Sequence, residues 1–277
     1  MYADNIDLQR KAYELRKNAV DIIMAGRGGH IGGDMSVMEI LITLYFKEMN
    51  ISATLTNDDN RDRFVLSKGH AVEAYYSVLS ECGFLDLDDI KKNFMQFNSP
   101  YIGHPNNKLN GIEMNSGSLG HGLPVCIGMA LAAKMDKRPY RVYTVMGDGE
   151  LAEGSVWEAA MAASHYRLDN LCVTIDRNGL QISGNTEDVM GHENLADRFK
   201  SFGWNVIDVR NGNDIEQLTE AYHIARQVKK RPSVVIAHTV KGCGSKVMEG
   251  KKEWHHKLPS EDEYNQIIKD FIQHEGE

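Results

Sequence analysis

The 277 residues, 42% hydrophobic and 25% charged, are enough to bury a full core, either as one large α/β domain or as two small ones. A formal net charge of −8 argues against a dedicated nucleic-acid binder, and no apolar stretch approaches a membrane span. Four cysteines (Cys82, Cys126, Cys172, Cys243) lie far apart with no C-x-x-C, and the N-terminus MYADNID is acidic and polar rather than a signal peptide, so the expectation is a cytoplasmic protein.

Leu8, Ala12, Leu15, Ala19 and Ile22/Ile23 recur with the helical period, and the helix they predict stops at Gly26. After the loop GRGGHIGGDM, Ser36 and Glu39 form an S-x-x-E pattern, read as the capping box of a helix with Val37, Ile40, Leu41, Leu44 and Tyr45 on its buried face. RFVLS predicts a short strand, with Gly69-His70 at its end and a helix beyond. Residues 99–122, rich in Gly, Asn and Pro, predict a long loop, and loops of that length are more often functional than decorative.

From there the alternation is regular. RVYTVM, LCVTI, WNVIDV and SVVIAHTV read as strands, and 154–166, 193–201 and 214–229 as the helices between them. Ser260 and Glu263 cap a last helix. Lys229-Lys230-Arg231 reads as cations at a helix C-terminus, and Lys251-Lys252 as a solvated loop. Cys126 and Cys172 fall in apolar runs and belong to the core; Cys243, between Gly242 and Gly244, is open to exposure and is not read as catalytic. Strands alternating with helices imply an α/β fold, an open, mostly parallel β-sheet with helices on both faces. Without a repeat, a low-complexity segment or a linker, residues 1–277 read as a single domain.

In such a sheet, ligands bind outside the carboxyl ends of the strands. His70 follows one strand, Gly147-Asp148-Gly149 a second and Asp176-Arg177-Asn178 a third, while His238 to Lys246 closes a fourth. Asp-Gly alone is a common turn pair. Joined by Asn178 and a nearby backbone carbonyl, Asp148 becomes part of a hard oxygen set that suits Mg²⁺. Gly147 and Gly149 remove side chains where a diphosphate would approach the backbone, and the helix after Gly154 would aim its positive end there. A Rossmann dinucleotide site fits less well, because no G-x-G-x-x-G follows the first strand.

GDGELAEGSVWEAA followed by TIDRNGLQISG resembles the thiamine-diphosphate motif of the transketolase family. RDRFVLSKGHA, GIEMNSGSLGHGLPVCIGMA and KGCGSKVMEGKKEWHH match three further blocks, so that the similarity spans residues 8–265. In particular the chain resembles the N-terminal, diphosphate-binding subunit of a split, two-chain transketolase. The resemblance implies the thiamine diphosphate-binding fold, with thiamine diphosphate and Mg²⁺ (or Ca²⁺ or Mn²⁺) as cofactors. It implies Asp148 and Asn178 as metal ligands, together with the backbone carbonyl of Leu180. It places Asn178, the Gly149 backbone and His70 at the cofactor, with Gly117, Ser118 and Leu119 along its aminopyrimidine. His30, His104 and His255 match catalytic histidines of the substrate channel, His255 also reaching the diphosphate; the choice between His255 and His256 stays open. Ile182 matches an apolar contact to the thiazolium ring and equally suits a core position. Glu153 and Glu158 match acids at the subunit interface, although Glu153 also reads as an ordinary first-turn helix acid. His121 stands where the family more often has Gln, and GHIGGDMS departs from the Pro-containing version of full-length enzymes.

The activity implied is transfer of a two-carbon ketol unit from a ketose (phosphate) to an aldose (phosphate), with histidines relaying protons at sugar hydroxyls. In this family a glutamate from a separate pyrimidine-binding domain contacts the aminopyrimidine, and that domain brings most of the cations that grip a sugar phosphate. The expectation is therefore a chain inactive alone, completed by a C-terminal transketolase subunit in a dimer of heterodimers. Two alternatives stand beside it. One is a component of another thiamine-diphosphate enzyme, deoxyxylulose-phosphate synthase-like or a dehydrogenase alpha subunit, which WEAA after GDG and the set His30, His70 and His104 disfavour. The other is a non-catalytic cofactor-binding module.

Overall fold

The computed structural model describes residues 5–275. In chain order its helices and strands are α1 (Asn5–Gly26), α2 (Ile31–Thr43), β1 (Arg63–Leu66), α3 (Val72–Glu81), α4 (Leu87–Asn93), α5 (Gly122–Met135), β2 (Val142–Gly147), α6 (Gly154–His165) and β3 (Leu171–Arg177). Then follow β4 (Leu180–Gln181), β5 (Gly184–Asn185), α7 (Thr186–Met190), α8 (Leu195–Ser201), β6 (Asn205–Val209), α9 (Ile215–Gln227), β7 (Ser233–His238) and α10 (Glu261–Glu275). Neither a helix nor a strand interrupts the long loop between α4 and α5.

Five strands pair in the order β1-β2-β3-β7-β6, every pair parallel. The strands read as unbroken apolar runs because both faces of the sheet are buried. Phe64, Leu66, Tyr143, Val145, Cys172, Val235 and Ala237 pack against one layer, built from α1, α2, α3, α9 and α10. Val65, Met146, Val173, Ile175, Val234 and Ile236, one residue out of phase, pack against α5, α6 and α8. Gly147 pairs with Asp176 and Arg177 with His238, so β2, β3 and β7 end level at one edge. Beyond it β4 and β5 form a small antiparallel hairpin. Among the described residues no helix is long and apolar enough to cross a membrane.

Two local expectations are corrected. Ser36 and Glu39 sit inside α2, whose N-cap is His30, so they are not a capping box. Ser36 Oγ donates to Gly33 O (3.0 Å) and to Asp176 Oδ2 (2.7 Å), and Glu39 is the buried partner of Arg16. The pair Ser260 and Glu263 is a true box: the Ser260 amide donates to Glu263 Oε2 (2.9 Å) and the Glu263 amide to Ser260 Oγ (3.3 Å). Cys243 is not an exposed thiol; burial pushes it up to about 12. Cys126 and Cys172 are buried as expected.

Candidate active site

A cleft of about 290 Å³ opens at the carboxyl edge of the sheet. His70, Asp148, Asn178 and Lys241 reach it from the segments after β1, β2, β3 and β7, and His30 from the residue before α2. The long loop delivers His104, Gly117 and Leu119, and the segment before α10 delivers His255. Of the remaining residues expected here, Gly149, Leu180 and Ile182 also line the cleft. Ser118 is exposed and lies outside the lining, and Glu153 and Glu158 are exposed on and just before α6. Ile182 is 70% exposed, which removes the core reading and leaves an apolar side chain on the rim.

The oxygens come first. Asp148 is nearly buried, its Oδ1 accepting the Gly149 amide (3.0 Å) and its Oδ2 the Gly179 amide (2.7 Å). Burial, and then the neighbouring charge of Asp176, push the Asp148 carboxyl up to about 6, so this is an anion short of a cation. Asn178 Oδ1 accepts the Leu180 amide (3.1 Å), and the Leu180 carbonyl accepts from Lys241 Nζ (3.1 Å). Among the described residues no group of three or more His, Cys, Asp or Glu is spaced to hold a metal ion. A cation here would rest on one carboxylate, one amide, one carbonyl and oxygens from a ligand, which is the donor set Mg²⁺ takes. A Cβ on Gly147 would project into open space, so this backbone leaves room for a diphosphate. The first turn after Gly-Asp-Gly is a short 3₁₀ segment, Gly149–Ala152, and not the start of α6. It is this segment, rather than the α6 N-terminus, that borders the cleft.

A histidine cluster lines the same cleft. The His30 ring lies 5.5 Å from His70, 5.9 Å from His104, 5.7 Å from His255 and 4.7 Å from His256, centroid to centroid. His255 lines the cleft, while His256 stands exposed on the solvent side of His30. Burial, reinforced by neighbouring histidines and lysines, lowers His30 to about 4; burial and Lys241 lower His255 to about 3. Burial and Lys68 hold His70 well below its usual value, and burial alone lowers His104. All four are thus neutral imidazoles at neutral pH, each able to accept a proton at one nitrogen and donate from the other. Among the described residues, His30 Nδ1, His255 Nδ1 and Gln181 Oε1 are buried without a hydrogen-bond partner, as groups awaiting a polar ligand would be. His121 is exposed and outside the cleft lining, its Nδ1 3.1 Å from the Leu119 carbonyl oxygen.

Gly117 holds φ +138°, and a Cβ there would lie 2.7 Å from His104 Cδ2. Gly117→Ala is expected to cost about 1–3 kcal/mol through backbone strain and to displace His104. Chemical denaturation of the chain would check this; a loss under ~0.5 kcal/mol, the ordinary surface-substitution range, would contradict it.

Several functional side chains escaped the sequence reading. Lys68 is buried against Asp176, which also accepts from Ser36 and Thr239. Lys68 and Lys241 both line the cleft and give its floor a positive wall. Burial lowers Lys241 to about 8, with Lys68 adding to the effect. Glu150 accepts from Ser67 Oγ and from the Gly120 (2.9 Å) and Gly147 (3.2 Å) amides, tying the Gly117–Gly120 strip to the end of β2. The lysines stand inside conspicuous motifs, SKGH and TVKG. Their partners are distant in sequence, so nothing local marked them.

The chain matches known proteins in sequence and fold. The model of the family described as "Transketolase, thiamine diphosphate binding domain" matches residues 8–274. The chain is 44% identical over 270 residues to one subunit of the apulose-4-phosphate transketolase of Phocaeicola vulgatus, covering 98% of this chain and 95% of that protein. It is 36% identical over 272 residues to a 6-deoxy-6-sulfo-D-fructose transketolase subunit of a Clostridium species, covering 97% of each. It spans less than half the length of other transketolase relatives. A solved transketolase from Pichia stipitis superposes with a TM-score of 0.90 at 32% identity, over 98% of this chain and 42% of that one. One from Leishmania mexicana gives 0.88 at 28%, over 100% and 45%. With the family model matched over nearly its whole length and the subunit relatives covered end to end, the chain belongs to the transketolase family, of which it is the thiamine diphosphate-binding part.

Proposed function

We propose that this chain is the cofactor-holding subunit of a two-chain transketolase that moves a two-carbon ketol unit from a ketose phosphate to an aldose phosphate. The observation that carries the reading is one cleft lined by both a hard-oxygen set and neutral histidines. When bound, thiamine diphosphate supplies the nucleophilic carbon and the electron sink for cleavage beside a carbonyl. Asp148, Asn178 and the Leu180 carbonyl would hold Mg²⁺; Gly147 and Gly149 would admit the diphosphate; His70, Lys68 and Lys241 would bind it from the same cleft. Gly117, Leu119 and Ile182 line the cleft and would contact the cofactor there, with Ser118 beside them in the same strip but outside the lining. His30, His104 and His255 accept and return protons at sugar hydroxyls, a task for which imidazoles kept neutral by burial are suited. Residues 1–277 act as one domain, in the cytoplasm.

The site is completed by a second chain, a C-terminal transketolase subunit with a pyrimidine-binding domain and its glutamate, in a dimer of heterodimers. Exposed apolar side chains support a covering partner: Ile182 on the cleft rim, Val189 and Met190 just after the hairpin, and Phe97, 94% exposed, in the loop leading to His104. Glu153 and Glu158 belong to that assembly's subunit interface. Relatives named for apulose 4-phosphate and 6-deoxy-6-sulfo-D-fructose make branched and sulfonated sugars the variants to assay beside pentose phosphates.

Thiamine diphosphate with Mg²⁺ is expected to raise the melting temperature of the isolated chain, by mass action worth about 2.7 kcal/mol at a hundredfold excess over Kd. Ketol transfer should stay at background until the partner subunit is added. Turnover by the isolated chain would remove the two-chain reading. Absence of any shift with thiamine diphosphate and Mg²⁺ would remove the cofactor assignment.

A further inference from the structure

Behind His30 lie two carboxyl groups that the chemistry above does not use. Asp34 stands in the first turn of α2 and Glu73 in the first turn of α3, and both are fully buried. Asp34 Oδ1 accepts the Ala74 amide at 2.9 Å. The two carboxyls act on each other electrostatically, and the backbone at His30 interacts with Glu73. Asp34 Oδ2 and the Glu73 oxygens otherwise lack a conventional partner among the described residues. A Cβ on Gly29 would collide with Glu73 Oε1, so the chain entering His30 is pressed directly against this carboxyl.

Two ionised carboxylates do not share a dry site without a cation. The cation acting on Asp34 is Lys68, which is already paired with Asp176. Around Glu73 stand the His30 backbone, Tyr76 one turn along α3, and Ile23 from α1, which adds no charge. We propose that Asp34 and Glu73 share one proton and form a positioning pair, locking the starts of α2 and α3 together so that His30 is presented to the substrate. The proposal rests on the reading that His30 acts on the sugar.

Burial pushes Asp34 up to about 7; burial, and then the charge of Asp34, push Glu73 well above the usual carboxylate range. Both groups therefore bind protons more tightly folded than unfolded. Their contribution to stability is complete below the unfolded carboxylate pKa and is lost as pH rises through 7 and beyond.

The test uses Glu73→Gln, whose amide still donates to Asp34, Glu73→Ala, which cannot, and Asp34→Asn as a second conservative variant. Between about pH 5 and pH 9 the melting temperature of the wild-type chain should fall more steeply than that of E73Q or D34N. In the assembled two-chain enzyme, E73A should lower kcat/KM for the ketose by about 10–100-fold through misplacement of His30, while thiamine diphosphate affinity holds and E73Q recovers most of the loss. Equal pH slopes in wild type, E73Q and D34N would overturn the shared proton. Unchanged kcat/KM in E73A, or a parallel loss of cofactor affinity, would overturn the positioning role. A wild-type assembly that binds no thiamine diphosphate would instead sink the functional reading, and the pH slopes would still decide the proton pair.

Discussion

Asp148→Ala is expected to abolish Mg²⁺-dependent binding of thiamine diphosphate, with the dissociation constant rising more than the ~10–100-fold that loss of an outer-sphere partner costs at a metal site. Asp148 is the only carboxylate in the oxygen set at the ends of β2 and β3. Without it, Asn178 and Leu180 offer a dication neutral dipoles alone. The unliganded fold should suffer much less. Burial already penalises the Asp148 charge, so removing it relieves that penalty and offsets the two amide bonds lost from Gly149 and Gly179. Asp148→Asn keeps an acceptor for only one of those two amides and sets its Nδ2 against the other, so it should bind the cofactor poorly without melting higher than wild type. Calorimetric titration with Mg²⁺ and with EDTA reads the effect. Metal-dependent affinity equal to wild type in D148A would mean that the cation sits elsewhere.

The alternation of strands and helices was legible because burial on both sheet faces leaves apolar runs such as LCVTI, which turns and amphipathic helices separate. Convergence of His70, Asp148 and Asn178 on one edge followed, since every main-sheet pair is parallel. What failed was local. GRGGHIGGDM reads as loop because glycine is a poor helix former, yet α2 already begins at Ile31. Packing explains this: a Cβ on Gly32 would come within 2.6 Å of the Trp254 carbonyl, so the glycines let the helix start press against the His255 segment. With the start moved, an S-x-x-E pattern identical to a cap becomes two buried polar groups. His255 and His256 could not be told apart because a short 3₁₀ turn, Lys252–Trp254, orients them, and the burial of Trp254 fixes that turn. Lys68 with Asp176, and Asp34 with Glu73, are paired across long stretches of chain, and no local periodicity encodes such pairs.

The largest loss of stability is expected from Arg16→Met, about 3–5 kcal/mol, the range for stranding one member of a buried ion pair. Arg16 is fully buried on α1, its guanidinium bidentate to Glu39 at 2.6 and 2.7 Å and donating to the Met35 carbonyl at 2.8 Å. Met fills much of the volume but leaves the Glu39 carboxylate with only amide donors, Asn213 Nδ2 at 2.8 Å and Gln9 Nε2 at 3.3 Å. If the stranded charge is the cause, R16M/E39Q should recover part of the loss, because no net charge remains buried, although Gln Oε1 can accept from only one of the two amides. Urea unfolding of the three chains separates this from a packing defect, in which the double variant would be no better than the single. The same pair holds the helix that starts at His30 and, through Ser36, braces Asp176 beneath the cleft. R16M should therefore weaken thiamine diphosphate binding as well, and R16M/E39Q should restore part of it. A loss below ~1 kcal/mol in R16M would place the anchoring of α2 in its apolar contacts rather than in this ion pair.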